Sequence, residues 1–489
     1  MNRLSIFVLL LLQAATATSA PWQEADLFVR NATIVDVEHA RAISGGSIAI
    51  RDGDIVAVGP DAAMALEWFS AHEMDARGRF VIPGLWDMHM HLGGGPDLVE
   101  ENAALLPLYI ANGITTVRDC SGDLADQVLA WRDEIADGRL LGPTLYTSGA
   151  KLEGINPVWK GTLEVASKAD VDKALAHERA VRVDFVKITD NTLDPQLFLY
   201  AVARAKALGF RTSAHIPMAD TVEQAADAGL SSIEHLDYAF KAGAKDEAAI
   251  SAAFGAGKID RAEANRRIDA DFDRFAAMKA YRRFAAQGIY VTPTLNISRV
   301  LAYLDRDRHD TDEALAYIGP KLIKTYDWRI ERAAKATPAE VAARHAHYEK
   351  MAAILPLLQK AGVPIMAGTD AGFLNTYDYP GFGLHDELAL FVQNGLSPAQ
   401  ALASATRNGA AWFGKLDRYG AIGPKKAADL VILTRNPLED IAATRAIDAV
   451  ILRGRLFDRA ALDGMLAETR AKVAAWKAGE KGAETPARK

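Results

Sequence analysis

The sequence contains a single cysteine, Cys120, among its 489 residues. One cysteine excludes an internal disulfide in any compartment, and it excludes a thiolate cluster for a metal ion. The expected role of Cys120 is therefore that of a small buried residue rather than a nucleophile.

The sequence also lacks an uninterrupted apolar run of about 20 residues, which is the length that spans a bilayer. Basic residues form no block, because 56 Lys and Arg are scattered among 63 Asp and Glu and the formal net charge is −7. We therefore expect no stable membrane anchor and no nucleic-acid partner. A small-molecule substrate is the partner class that remains, and a homo-oligomer is compatible with the sequence.

The first residues have the composition of a secretory signal peptide. Arg3 precedes an apolar stretch at residues 4–12, and small residues follow it. A cut after Ala17 satisfies the A-x-A rule, so residues 1–17 are predicted to be a cleaved signal. We expect a periplasmic or secreted protein.

Short alternating strands are predicted near both ends of the remaining chain. They lie within residues 22–81 and again within residues 416–460, with turn residues between them. We expect these two segments to form one small β-sandwich domain. Residues 461–489 are predicted to be a C-terminal helix and tail.

Residues 82–415 alternate short apolar strands with longer helical patterns, as is typical of parallel βα units. The first predicted strand ends at His89, and the other seven are residues 113–118, 143–147, 183–187, 210–215, 232–235, 289–293 and 364–370. Eight such units predict an α/β fold with a (β/α)8 TIM barrel. Charged, Ala-rich segments at about 240–285 and 300–350 are predicted helical insertions, which form either solvated cover or a substrate lid.

Side chains that can bind a metal stand at the ends of five predicted strands. His89 and His91 are one residue apart, so they face the same side of the first strand. The later strands end in Lys187, His215, His235 and Asp370. Because the chemistry of such barrels gathers at the C-terminal ends of the strands, six potential ligands are expected at one mouth.

These motifs, in this order, resemble the amidohydrolase superfamily, and within it the group related to imidazolonepropionase, bacterial Xaa-Pro dipeptidases and secreted ochratoxin-type amidases. The resemblance covers nearly the whole mature chain. It rests on PGLWDMHMH at 83–91, TTVRD at 115–119, DFVKI at 184–188, AH at 214–215, IEH at 233–235, GTDAG at 368–372 and GAIGPKKAADLV at 420–431.

The resemblance implies a binuclear metal centre. In it Lys187 is carbamylated by carbon dioxide and bridges two metals, with His89, His91 and Asp370 on the first metal and His215 and His235 on the second. An ammonium between two cations would be repelled, whereas a carbamate supplies an anionic oxygen to each. Imidazole and carboxylate ligands without thiolate favour Zn²⁺.

The expected reaction is attack of a metal-bridging hydroxide on the carbonyl of a carbon–nitrogen bond. Asp370 would take the proton of the hydroxide and deliver it to the departing amine. We expect an exported metal-dependent amidohydrolase acting on an amide, an N-acyl amino acid or a dipeptide-like substrate. The alternatives are a lactonase or esterase with the same metal site, and a catalytically inactive binding protein on the same barrel.

Two residues are predicted to contact the substrate through polar groups. Tyr238 resembles a family position that contacts a substrate carboxylate in dipeptidase-like members, with ordinary loop packing as the alternative. Arg118 could supply a positive charge from the second strand, or it could pair with Asp119.

Two further residues are predicted near the mouth of the barrel. The related dipeptidases carry a Gly-Gly-His segment after the third strand, whereas this chain has GAKLEGINPVW at residues 149–159. Trp159 could therefore form an apolar wall for a bulky group. His385 follows the last strand and could overhang the same mouth.

Overall fold

A computed structural model describes residues 22–484 of the chain, so the predicted signal at residues 1–17 lies outside the described residues. Within the described part, none of the helices combines the length and the apolar character needed to cross a membrane.

The N-terminal segment is built of strands. They are β1 (Gln23–Glu24), β2 (Leu27–Asp36), β3 (Arg41–Arg51), β4 (Asp54–Pro60), β5 (Trp68–Phe69), β6 (Glu73–Asp75) and β7 (Phe80–Pro83). Asp52 and Gly53 join β3 to β4 with φ values of 52° and 79°. Two positive φ angles suit the tight turn of a twisted hairpin, as the Asp-Gly pair predicts.

The barrel follows as a set of parallel strands. They are β8 (Leu85–His91), β9 (Ile114–Asp119), β10 (Thr144–Thr147), β11 (Lys151–Glu153), β12 (Thr162–Glu164), β13 (Val186–Ile188), β14 (Thr212–Ala214), β15 (Ser232–Glu234), β16 (Tyr290–Thr292) and β17 (Ala371–Gly372). One sheet has the order β10-β9-β8-β17, and the other has the order β12-β11-β13-β14-β15-β16.

Backbone hydrogen bonds join these two sheets into a ring. On one side the Asp184 amide donates to the Thr147 carbonyl at 2.9 Å. On the other side residues 364–370 run between β16 and β8, and the Met88 amide donates to the Ala367 carbonyl at 2.9 Å. The predicted (β/α)8 barrel is confirmed, although its eighth strand is irregular and β11 and β12 are additional short strands.

The two ends of the chain share one sheet. Its last strands are β18 (Leu430–Leu433), β19 (Ile447–Leu452) and β20 (Arg455–Asp458). β18 pairs antiparallel with β7, in the register that places Leu430 opposite Pro83, and the sheet continues through β2, β3 and β4. The predicted small β domain made from both ends is therefore present. β7 leads directly into β8, so the sheet is connected to the first strand of the barrel.

Helices fill the connections between the strands. They are α1 (Asp61–Glu67), α2 (Val99–Ala103), α3 (Leu106–Ala111), α4 (Ala125–Ala136), α5 (Lys168–Ala180), α6 (Pro195–Ala207), α7 (Val222–Ala228), α8 (Leu236–Lys241), α9 (Glu247–Gly255), α10 (Arg261–Asp271), α11 (Arg274–Gln287), α12 (Leu295–Ala302), α13 (Pro320–Lys324), α14 (Asp327–Ala334), α15 (Pro338–Ala352), α16 (Leu355–Ala361), α17 (Gly383–Gln393), α18 (Pro398–Ser404), α19 (Arg407–Trp412) and α20 (Arg459–Glu484). The two segments predicted as insertions hold α9 to α11 and α13 to α15.

Candidate metal centre

The predicted metal ligands lie together at one mouth of the barrel. Each stands in a barrel strand or directly beside its C-terminal end: His89 and His91 in β8, Lys187 in β13, His215 after β14, His235 after β15 and Asp370 at the end of the irregular eighth strand, just before β17. Parallel strands of a barrel end at the same face, which explains why residues far apart in sequence meet here.

The first group of donors surrounds the Asp370 carboxylate. The Nε2 atoms of His89 and His91 lie 3.2 Å and 2.9 Å from Oδ1 of Asp370. Ligand atoms of His89, His235 and Asp370 all lie within 4.8 Å of one another. Such spacing suits a divalent cation held by imidazole and carboxylate.

The second group is formed by His215, His235 and Lys187. The two histidines face each other with their Nε2 atoms 2.9 Å apart. Lys187 is 1% exposed, and its Nζ is buried without a hydrogen-bond partner among residues 22–484. A buried amine without a partner is costly and calls for a further ligand. The donors of both groups therefore fit a metal site made of imidazole and carboxylate ligands.

The charge states of these donors also suit metal binding. Burial lowers the pKa of His215 well below its usual value and that of His235 to about 4, so both imidazoles are neutral near pH 7. Burial opposes ionisation of Asp370, but the neighbouring His91 and hydrogen bonds from His89 and His91 hold the pKa of this carboxyl well below its usual value. Neutral imidazoles and an ionised carboxylate are the forms that ligate metals.

Two ligand histidines are oriented by hydrogen bonds on their other ring nitrogen. His89 Nδ1 lies 2.7 Å from Glu234 Oε2, and His235 Nδ1 lies 2.8 Å from Thr294 Oγ1. These partners leave both Nε2 atoms turned toward the centre, as is usual around metal-bound histidine. Sequence reasoning missed the role of Glu234 even though it stands in the IEH motif beside His235.

The backbone is strained where two ligands leave their strands. His235 and Asp370 have φ values of 68° and 66°, a region that residues with a side chain rarely occupy. Gly372 has a φ of 118°, and a Cβ there would lie 2.2 Å from the His91 carbonyl oxygen. Only glycine therefore allows the segment that carries Asp370 to pair closely with β8.

The donors open into a cleft with about 540 Å³ of empty space. Besides five of the proposed ligands, it is lined by Cys120, Lys151, Trp159, Thr189, Arg329, Phe373, Leu374 and Asn375. Trp159 thus lies where the sequence predicts an apolar wall. Burial raises the pKa of the Cys120 thiol to about 12, so this residue is not a thiolate nucleophile.

Arg118 does not face the substrate cleft. It is fully buried beneath the ligands, and its Nη2 donates to Glu234 Oε2 at 2.7 Å. Its guanidinium packs between the rings of Phe185 and Trp412, at 5.3 Å and 4.6 Å from their centroids. The predicted substrate contact is wrong, and so is the predicted pair with Asp119, because the side chain points across the barrel interior to Glu234.

His385 and Tyr238 also lie outside the metal cleft. His385 is buried between Thr444 Oγ1 and the Asn112 carbonyl, at 3.0 Å and 3.1 Å, so the prediction that it overhangs the mouth is wrong. Tyr238 stacks behind His215 with ring centroids 6.2 Å apart, and it is not among the residues that line the cleft. This position favours the packing alternative for Tyr238.

The model of the amidohydrolase family matches residues 80–457 of the chain. The match covers the barrel and most of the C-terminal strands, which shows that the chain belongs to the amidohydrolase family. It is therefore a hydrolase that acts on carbon–nitrogen bonds, in a family whose members bind metal ions and act on small molecules. The predicted family is confirmed.

Individual relatives and solved structures are similar to this chain to different extents. The ochratoxinase of Aspergillus niger is 24% identical over 506 residues, which cover 91% of this chain and 90% of the ochratoxinase. The structure of a Xaa-Pro dipeptidase with methionine bound in its active site has a TM-score of 0.63 at 21% identity and covers 88% of this chain and 99% of the dipeptidase. The adenine deaminase of Ruegeria pomeroyi is 40% identical over 101 residues, and this chain spans only 16% of its length.

Proposed function

We propose that the chain is an exported binuclear zinc amidohydrolase that cleaves the amide bond of an N-acyl amino acid or dipeptide-like substrate. The observation that carries the proposal is a buried lysine amine without a partner, set among neutral imidazoles and one ionised carboxylate. Export rests on the signal-like composition of residues 1–17.

Three of the proposed ligands would hold the first ion and two would hold the second. His89, His91 and Asp370 form the first set, and His215 and His235 form the second. When bound, the two ions would supply an acidic water for attack and would polarise the substrate carbonyl. Lys187 would lie between the two sets as a carbamate.

The carbamate would form when the neutral Lys187 amine attacks carbon dioxide. The nitrogen–carbon bond would form as one C–O π bond of carbon dioxide opens, and the release of one amine proton would leave an anionic carbamate in place of a neutral amine. The change removes the repulsion between an ammonium and divalent ions, and it gives the buried Nζ a covalent partner.

Asp370 would move the proton during the reaction. Its carboxylate lies beside the Nε2 atoms of His89 and His91 and lines the cleft, so it can reach both a water and a substrate nitrogen. It would accept the proton of the attacking water and return it to the leaving amine, which must be protonated to depart.

The test combines metal analysis with turnover. Protein purified with zinc and bicarbonate should contain two metal ions per chain and should release amines from N-acyl amino acids or dipeptides. Faster cleavage of lactones than of amides would favour the esterase alternative. Absence of both metal and turnover after this loading would overturn the proposal and favour the inactive binding protein.

A further inference from the structure

Two basic side chains line the cleft without belonging to the proposed metal centre. Lys151, at the start of β11, is 6% exposed, and Arg329 lies in α14. Within residues 22–484 neither forms an ion pair with a carboxylate, and Nε of Arg329 is buried without a hydrogen-bond partner. Asp370 is the single carboxylate in the described lining of the cleft, and the proposed metal centre engages it.

An unpaired cation in a buried wall is costly, so a partner is expected there. Burial lowers the pKa of both Lys151 and Arg329, which is the effect of taking a positive charge out of water. Arg118, which is fully buried near the site, has the Glu234 carboxylate at 2.7 Å. The lack of such a partner at the cleft leaves two positive charges for an incoming anion.

Aromatic rings connect these two cations across the cleft. The Lys151 Nζ lies 5.8 Å from the Trp159 ring, and the Arg329 guanidinium lies 5.0 Å from the Trp328 ring. The two tryptophan rings are 6.5 Å apart. A ligand with an anionic group beside an apolar group would match this wall.

The position of Arg329 indicates which half of a substrate carries the anion. Arg329 and Asp370 line the same cleft, together with the residues Phe373, Leu374 and Asn375 that follow Asp370 in the chain. In the proposed reaction Asp370 returns its proton to the leaving amine. The amine half of the substrate therefore lies on the side of Arg329.

We propose that Arg329 and Lys151 bind a carboxylate on the amine half of the substrate, and so select N-acyl amino acids with an apolar or aromatic side chain over neutral amides. This inference rests on the proposed amide hydrolysis. Lys151 lies in the segment where the related dipeptidases carry Gly-Gly-His, and Tyr238 does not line the cleft. Carboxylate recognition in this chain is thus assigned to different side chains, with Arg329 suited to bidentate binding.

The activity test uses three substrates that share a phenylalanine core. They are N-acetyl-L-phenylalanine, its C-terminal amide, and glutaryl-L-phenylalaninamide, which carries its carboxylate on the acyl half. We expect the wild type to prefer the first. Arg329→Met and Lys151→Met should each lower kcat/KM for it about 10- to 100-fold, mainly through KM, and should change the neutral amide less than about threefold.

Matched controls come from exposed neighbours of the same two segments. Arg332→Met removes a cation that also stacks on Trp328, at 5.4 Å, but lies outside the cleft lining. Lys160→Met removes an exposed charge beside Trp159. Both variants should keep the wild-type preference. Equal losses on the acid and the neutral amide in Arg329→Met would overturn the proposal, and a selective loss on the glutaryl substrate would overturn the assignment to the amine half.

Calorimetry separates this inference from the proposed function. The metal-loaded protein should bind 3-phenylpropanoate more tightly than 3-phenylpropanol, and Arg329→Met should abolish the difference. If no amide is hydrolysed, the proposed function fails, yet this binding difference still decides the inference. Equal binding of the acid and the alcohol, or a difference that persists in both Arg329→Met and Lys151→Met, would overturn it.

Discussion

Lys187 is the residue on which the proposed metal centre depends most. Its Nζ has no hydrogen-bond partner in the described part of the chain and faces the ligand histidines. In Lys187→Ala the bridging carbamate is absent, so we expect loss of the two-ion centre and of turnover, with partial recovery on adding acetate or formate. Metal analysis and a carbon NMR signal from labelled bicarbonate measure this. An active wild type without that signal would contradict the carbamate.

Substitution of Asp370 is expected to lower catalysis strongly while leaving most of the metal bound. Asp370→Asn keeps an oxygen for the ion but removes the basic oxygen that accepts a proton. We expect most of the metal to remain while kcat falls about 10²- to 10⁴-fold, the usual contribution of a positioned acid or base. Metal content and kcat are measured on the same sample. Wild-type kcat in this variant would assign the proton transfer to another group.

Glu234 is a positioning residue whose loss should weaken metal binding. Its Oε2 accepts hydrogen bonds from His89 and from Arg118, both at 2.7 Å. Glu234→Gln leaves the Arg118 charge unpaired and loosens His89, so we expect metal affinity to fall about 10- to 100-fold. Ser232→Ala, which removes a donor to the other Glu234 oxygen, should have a smaller effect. If a metal titration gives Glu234→Gln the wild-type affinity, the bonds of Glu234 to His89 and Arg118 are only structural.

At the scale of elements, His347 connects α15 to the barrel. Its two ring nitrogens lie 3.0 Å from Asp237 and 2.6 Å from Asp269, in the helices α8 and α10. Burial opposes protonation, but these carboxylates raise the pKa of His347 from 6.5 to about 10. Its stabilising effect is therefore complete below about pH 6.5, where the unfolded histidine is also protonated, and is lost as the pH rises toward about 10.

His347→Gln should consequently lower Tm most near pH 6 and least above pH 9. Because the side chain is 29% exposed, we expect a loss of only about 1 kcal/mol at pH 6. Thermal unfolding across this pH range measures the effect, and His177→Gln in α5, which has no ion pair among the described residues, is the control. If the Tm difference between His347→Gln and the wild type does not change with pH, His347 is not a protonated residue paired with both carboxylates.

The sequence predicted the elements well where a local pattern determines them. Strand β8 and the six ligand positions at the ends of five predicted strands follow from apolar runs that stop at polar residues. The structure brings these positions together. Glu234 and Arg118 pair across 116 residues, and Arg329 reaches the cleft from an insertion. No local periodicity indicates such contacts, so the sequence predicts a substrate or Asp119 as the partner of Arg118 and does not indicate that Arg329 reaches the cleft.

At the scale of the whole molecule, the proposed ligands come from both sheets of the barrel. β8 and β17, which directly follows Asp370, belong to the four-stranded sheet, whereas β13, β14 and β15 belong to the six-stranded sheet. Backbone bonds join these sheets through the irregular residues 364–370. Ions held between the two ligand groups would therefore link the halves of the barrel at its mouth.

Removal of metal should for this reason destabilise the fold as well as stop catalysis. An ion that binds only the folded chain stabilises it by about 2.7 kcal/mol when present at 100 times its Kd. We expect a chelator to lower Tm, and zinc with bicarbonate to restore it. Lys187→Ala should already unfold at the lower temperature and should respond little to chelation. Equal Tm values for the loaded and the stripped wild type would mean that the ions do not join the two sheets, because any ion bound only between them must favour the closed ring.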